Sequence, residues 1–502
     1  MAVAYELTCG CPGRSDAETV NDIVETALKQ EDEVLTLLTA QTAGLGVGVV
    51  AFTSCSKSSK TARFLPDDAI TMRIDVKQIL DKSKAADNDA VKQQLAKNLE
   101  AMGKNEEAKA VLKAVAEDPA KAGIDLRQPL WVSANAEGKN ALLVGELLDK
   151  DDFVKLLTAL DKAPKEKDGI QYIGEGTNVI AFDDDCFVVS DGTIDDVIKK
   201  FNADTKGTMA ESDDFSKLAD AKGIMQVLIP MGVAQNQLTA EQKALLPNGL
   251  DMKDLSILLD LSSEKGSVTL SVEAIAKSDA WKQNIEEGKK LMRNIDGDYA
   301  NYIAADGMSI FCNIDGKAYF DYLEKMGVFK NQKTIKSDQL EMAKGVLGTI
   351  DGDFTAGISK WEGFIPNVCL YLKTKDKKII EALNQLGIKS SKEMNFGEKD
   401  GTTYLAIGGE PFAEAKPAVS KSNLKGHRVY IHIGAQLAAK AIQGFCTRSQ
   451  AKAAQSAVES IKSIEIYDTA DTKVDFRVNM NDADKDPVEI LAGTMLGQFG
   501  LN

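Results

Sequence analysis

Histidine is almost absent: 502 residues hold two, His427 and His432. Both stand in Gly426-His-Arg-Val-Tyr-Ile-His-Ile-Gly434. Read as one strand, their five-residue separation predicts opposite faces, so they share no metal and form no proton relay. The shortage excludes most histidine-dependent acid–base and nucleophilic chemistry. Other catalytic signatures are missing too. There is no P-loop, since the glycines of 44–48 are not followed by a Lys-Ser/Thr pair. There is no Gly-x-Ser-x-Gly elbow.

Positive charge is also short. Sixty Lys and Arg face 76 Asp and Glu, a net charge of −16. An acidic surface without a basic stripe repels phosphate backbones, and no nucleic-acid partner is expected. The seven cysteines (Cys9, Cys11, Cys55, Cys186, Cys312, Cys369 and Cys446) are too scattered for a disulfide framework. Cys186, Cys312 and Cys369 stand in apolar runs, where a thiol is a small buried hydrophobe. Cys9-Gly-Cys11 has no second ligand pair nearby, so no zinc site is read there.

Acidic pairs are plentiful but unspecific. Asp296-Gly-Asp298 and Asp351-Gly-Asp353 suggest calcium, yet an EF-hand loop counted from Asp296 closes on Gly307 instead of a glutamate. Both triplets instead predict helix exits into strands. Asp183-Asp-Asp185 reads as a solvated hairpin tip, and Asp75 and Asp315 as helix N-caps. No catalytic residue, cofactor or metal ligand set is expected.

What is present is one long uncharged run, Val34 to Ser56, with the apolar core Leu45-Gly-Val-Gly-Val-Val-Ala-Phe52. As a membrane span it is broken by Thr, Gln and Gly; as a buried strand it is rich in glycine. As the hydrophobic region of a signal peptide its length is ordinary. Phe52-Thr-Ser-Cys55 then reads as a relaxed lipobox with Cys55 as the acylated residue, followed by a polar tether. A cytosolic chain with 34–56 buried is the competing reading. Residues 1–33 read either as an amphipathic helix behind the capping box Ser15-Asp-Ala-Glu18 or as sequence upstream of the true start.

The body reads as a tandem repeat. Leu65–Asp75 finds a partner in Ala305–Asp315, and Ala141–Asp151 in Asn367–Asp376. Lys167–Ile173 matches Lys399–Leu405, and Lys222–Ile229 matches Lys425–His432. Leu255–Leu261 with Ser267–Val272 matches Ile464–Asp468 with Val474–Val478. Short alternating strands, Gly/Asp turns and separate helices predict an α+β fold: a tandem duplication of a mostly antiparallel sheet-plus-helix domain behind a signal-like segment. The predicted parts are 1–54, a signal-like or mis-assigned extension; 55–61, a tether; 62–295, a first repeat; and 296–502, a second. A helical hairpin is predicted at about 88–117, turning at Gly103.

The Thr53-Ser-Cys-Ser-Lys57 lipobox, Phe64-Leu-Pro-Asp-Asp-Ala69 before a strand and helix, and the duplicated body together resemble a Bacteroidetes lipoprotein family known as a domain of unknown function, DUF 4836. The resemblance covers about 55–502. It implies an envelope lipoprotein of unassigned activity, held to the membrane by a lipid on Cys55. Lys57, Lys60 and Arg63, with no acid before Asp67, imply by analogy that it stays on the periplasm-facing surface. The expected role is a non-catalytic binding or scaffold module for an unknown protein or glycan partner. The alternative is an envelope hydrolase using carboxylates between the two repeats.

Overall fold

The computed structural model describes residues 60–84, 89–233, 250–304, 307–325, 337–359, 367–435 and 460–498. Cys55, the run 34–56, residues 1–33, Cys9, Cys11 and Cys446 lie outside the described residues. The described chain forms two compact units: 60–233 with 255–265 and 484–498, and 250–254 with 266–483. Strands and helices mix in both, and every strand pairing below is antiparallel, so the fold is α+β.

The first unit holds β1 (Ile70–Ile74), β2 (Leu130–Ala134), β3 (Leu142–Glu146), β4 (Lys165–Lys167), β5 (Ile170–Ile173), β6 (Thr177–Phe182), β7 (Cys186–Thr193), β8 (Met225–Pro230) and β9 (Leu255–Glu264). They pair in the order β9-β8-β1-β2-β3-β7-β6-β5-β4. Period-two alternation sends Met72, Val132, Leu143 and Val227 to one face. That face packs against α1 (Val76–Ser83), α2 (Asp89–Met102), α3 (Glu106–Glu117) and α4 (Lys150–Ala159), which supply Val76, Leu99, Leu112 and Phe153. Phe153 meets Phe182 edge-on, ring centroids 5.1 Å apart. The opposite face carries Trp131, whose ring lies 5.1 Å from Phe215 of the helix Asp213–Asp220.

Sequence cues explain the helix starts. Asp75 caps α1 and Asp149 caps α4, each accepting the amide three residues on. The predicted helical hairpin is α2 and α3. Gly103 follows α2, and a Cβ there would meet the Lys109 backbone at 2.8 Å. The C-terminal helix Pro487–Gln498 returns to this unit, where Asp486 accepts from Ser263 and pairs with Lys82.

The second unit holds β10 (Ser267–Ala276), β11 (Met292–Arg293), β12 (Met308–Asp315), β13 (Ile350–Ser359), β14 (Asn367–Thr374), β15 (Met394–Lys399), β16 (Thr402–Ile407), β17 (Val429–Gly434), β18 (Ile461–Ala470) and β19 (Lys473–Met480). Their order is β10-β19-β18-β17-β12-β13-β14-β16-β15, with β11 beside the end of β12. An aromatic core of Tyr299, Phe311, Tyr371 and Tyr430 packs with Ile295, Ile303 and Leu424.

The series β9-β8-β1-β2-β3-β7-β6 of the first unit and β18-β17-β12-β13-β14-β16-β15 of the second have the same connectivity. One expected correspondence is corrected. Lys167–Ile173 spans the β4–β5 turn and Lys399–Leu405 the β15–β16 turn. Yet the strand standing beside β3, as β16 stands beside β14, is β7. The shared Lys-Asp-Gly is turn chemistry. Asp168 and Gly169 have φ 53° and 81°, Asp400 and Gly401 have 52° and 76°, the left-handed pair that a two-residue hairpin demands.

Candidate functional site

The two Asp-Gly-Asp triplets, read separately in the sequence, meet in the second unit. Asp351-Gly-Asp353 lies on β13 at a bulge, where the β13–β14 register shifts between Ile350 and Phe354 and Gly352 takes φ +138°. Asp353 turns inward and is 1% exposed. Its Oδ1 accepts the Asp296 amide at 2.9 Å and Asn313 Nδ2 at 3.2 Å. Its Oδ2 accepts the Gly297 amide at 2.7 Å and the Asp298 amide at 3.1 Å. Gly297, at φ +74°, bends the backbone so that three successive N–H groups converge on one carboxylate.

Carboxylate oxygens of Asp296, Asp298 and Asp353 lie within 4.8 Å of one another, a spacing a cation could use. The donor chemistry argues otherwise. Asp353 already has two N–H donors on each oxygen, and Asp298 faces Lys421 at 3.0 Å and Lys373 at 3.7 Å. Burial raises the Asp353 pKa, and the amide bonds hold it back in part. The arrangement is an anion nest closed by the protein's own side chain: a clasp joining β13 to the segment before β12.

Asp75 and Asp315 are N-caps, as their place in the sequence predicts. Asp75 accepts the Gln78 amide at 2.9 Å and Asp315 the Ala318 amide at 3.0 Å. Each also meets an arginine, Arg73 or Arg293.

The histidines depart from expectation. His432 is on β17 and 5% exposed, but the strand begins only at Val429, which leaves His427 in the turn before it. The alternation argument therefore does not reach His427. Its ring packs over Tyr430 and Tyr467, centroids 5.6 and 5.0 Å away, and these tyrosines share the face of His432. His427 Nδ1 donates to the Asp468 carbonyl.

Strand register sets Ser309, His432 and Glu465 side by side on β12, β17 and β18. These are the residue types of a hydrolytic triad. However, among the described residues no hydrogen bond joins Ser309 Oγ to His432, and His432 Nδ1 is 3.9 Å from Glu465. Burial alone would raise Glu465. The neighbouring His432, Tyr430 and Asn479 outweigh it and hold the group below the ordinary value.

In the first unit the Asp183–Asp185 turn is more than a solvated tip. Arg63 pairs with Asp183 at 2.7 Å, Lys150 with Asp184 at 2.7 Å, and Lys60 with Asp185. Asp183 Oδ1 also accepts the amides of Asp185 and Cys186. Beside this turn Glu146 is half-buried with a raised pKa, burial first, and Lys60 opposes the shift.

Over residues 62–408 the chain matches the family described as Domain of unknown function (DUF4836). The chain belongs to the DUF4836 family. No curated protein matches it. Among solved structures, crystal form I of TP0453 is similar at 14% identity and TM-score 0.24, covering 46% of this chain and 84% of that one.

For this DUF4836 protein the cysteine reading holds where the residues are described. Cys186 and Cys312 are buried and Cys369 is partly so, and burial pushes their thiols up to about 12, 12 and 11. The convergence of the two triplets on Asp353 was not legible, because they lie on opposite sides of β12. The signal that could have found it is the central glycine of Asp296-Gly297-Asp298, which allows the left-handed turn. Among the described residues no helix is long and apolar enough to cross a membrane.

Proposed function

We propose that this chain is an envelope lipoprotein, acylated at Cys55 and facing the periplasm. Its duplicated α+β body is a non-catalytic binding or scaffold module for a protein or glycan partner. The observation that carries this reading is the entry of the chain into its body. Thr61, Ala62, Phe64 and Leu65, six to ten residues after Cys55, are at most 1% exposed. Only residues 56–60, polar in sequence, separate Cys55 from this packed segment, a spacing that suits an acyl anchor. A single acyl chain binds a bilayer marginally, so stable anchoring calls for more than one.

The duplication is supported by the common strand series, by the paired caps Asp75 and Asp315, and by a second pair. Asp260 on β9 accepts the Gly223 amide at 3.1 Å, and Asp468 on β18 accepts the Arg428 amide at 2.7 Å. Each acid thus anchors the chain just ahead of the neighbouring strand. The non-catalytic reading is supported by how the acids found in the sequence are used: as caps, in ion pairs and in the Asp353 nest.

Metabolic labelling with a clickable palmitate, comparing the native chain with Cys55→Ala, tests the reading. Label on the native chain alone supports it. Equal label on both, or on neither, overturns it.

A further inference from the structure

On the reading that Cys55 carries the anchor, we infer which end of the first unit lies on the bilayer: the β6–β7 turn, with Leu148 foremost. Five residues after Cys55, the Lys60 ammonium pairs with Asp185, and Arg63 binds Asp183 three residues later. The Arg63 guanidinium also stacks 4.6 Å from the centre of the Phe64 ring, and Thr61 and Leu65 are fully buried. From Cys55 to Lys60 an extended chain reaches about 17 Å at most. The lipid-bearing residue therefore lies within that distance of the Lys60 backbone, which the Lys60 side chain ties to the Asp183–Asp185 turn.

Leu148 stands at this turn. Leu147 donates its amide to the Asp185 carbonyl at 2.8 Å, and Leu148 donates to Gly123 at 2.8 Å. With 45% of its surface exposed, Leu148 is one of four large apolar side chains exposed among the described residues. The cations around it are paired, Lys60, Arg63, Lys150 and Arg127 with Asp185, Asp183, Asp184 and Asp125, and Glu146, Asp149 and Asp151 beside Leu148 add negative charge. No net positive field remains to recruit anionic headgroups. The occupant of this rim is a neutral, zwitterionic lipid surface, held there by the tether and touched by Leu148.

The opposite end of β3 gives the control. Glu137 is exposed in the Asn135–Lys139 turn, at the other end of β3 from Leu148, and the five residues of β3 alone span roughly 16 Å. The full lipid-bearing chain, with a photoreactive benzoylphenylalanine at position 148 or 137, is placed in phosphatidylethanolamine–phosphatidylcholine vesicles and irradiated. Phospholipid adducts are then read by mass spectrometry. An adduct at 148 and none at 137, unchanged by high salt, is the expected result. An adduct at 137 equal to or above that at 148 overturns the orientation, and loss of the 148 adduct in salt overturns the neutral-surface assignment. The mass of the peptide carrying position 55, taken from the same sample, keeps the two questions apart. An unacylated Cys55 overturns the anchor reading, whereas an acylated Cys55 with a misplaced adduct overturns the orientation alone.

Discussion

The Asp353 carboxylate and the Gly297 amide, 56 residues apart in sequence, meet at 2.7 Å. Around that contact three backbone amides and one side-chain amide close on a carboxylate that is 1% exposed. Removing the carboxylate leaves buried N–H groups without acceptors, which costs more than losing an ordinary surface bond. Asp353→Ala is expected to lower stability by about 3 kcal/mol, against under about 1 kcal/mol for Asp298→Ala, whose partners are exposed lysines. Urea unfolding of the two variants checks this. Equal effects would mean that Asp353 is not the centre of the clasp.

Two glycines separate backbone strain from steric clash. Gly123 (φ +72°) and Gly169 (φ +81°) both favour glycine, but a Cβ at 123 would meet the Asp149 carbonyl oxygen at 2.2 Å, while one at 169 meets nothing within 4 Å. Gly169→Ala is expected to cost about 1 kcal/mol and Gly123→Ala about 3 kcal/mol or more. Thermal unfolding of both would show it. Similar losses would contradict the close approach at Gly123.

The three described thiols are expected to be slow nucleophiles in the folded protein. With burial holding Cys186 and Cys312 near 12 and Cys369 near 11, little thiolate exists at pH 8. Peptide mapping after iodoacetamide should find all three unmodified in buffer and alkylated in guanidinium. Rapid native alkylation of Cys186 would contradict its place under the Asp183–Asp185 turn.

Glu146 carries a pH signature. Its folded pKa is raised, burial being the first cause, so the folded state holds the proton more tightly than the unfolded one. Its contribution to stability is full below the ordinary glutamate value and is lost as pH rises through the raised folded value. Glu146→Gln should therefore match the native protein at low pH and exceed it at neutral pH in urea titrations. A variant less stable at neutral pH would mean that the attraction of Lys60 outweighs burial.

Much of the fold was legible because it rests on local chemistry. Alternation marked β1, β3, β8 and β12; Asp75 and Asp315 announced helix starts; Gly103 marked the turn between α2 and α3. Where two residues share a turn but not a place in the sheet, local reading misled. Lys-Asp-Gly at 167–169 and 399–401 encodes the same hairpin geometry, yet β5 and β16 occupy different positions. His427 misled for a related reason, since alternation holds only inside a strand and β17 starts two residues later. The Asp353 clasp, the ion pairs of Asp183–Asp185 and the Ser309–His432–Glu465 row depend on contacts between distant segments, which no local pattern reports.

The central claim turns on position 55. The most direct measurement is the mass of the N-terminal peptide of the protein extracted from membranes. A chain that starts at Cys55 and carries fatty-acyl mass on that residue is the predicted result. A peptide running through positions 54 and 55 with a free thiol would contradict the account.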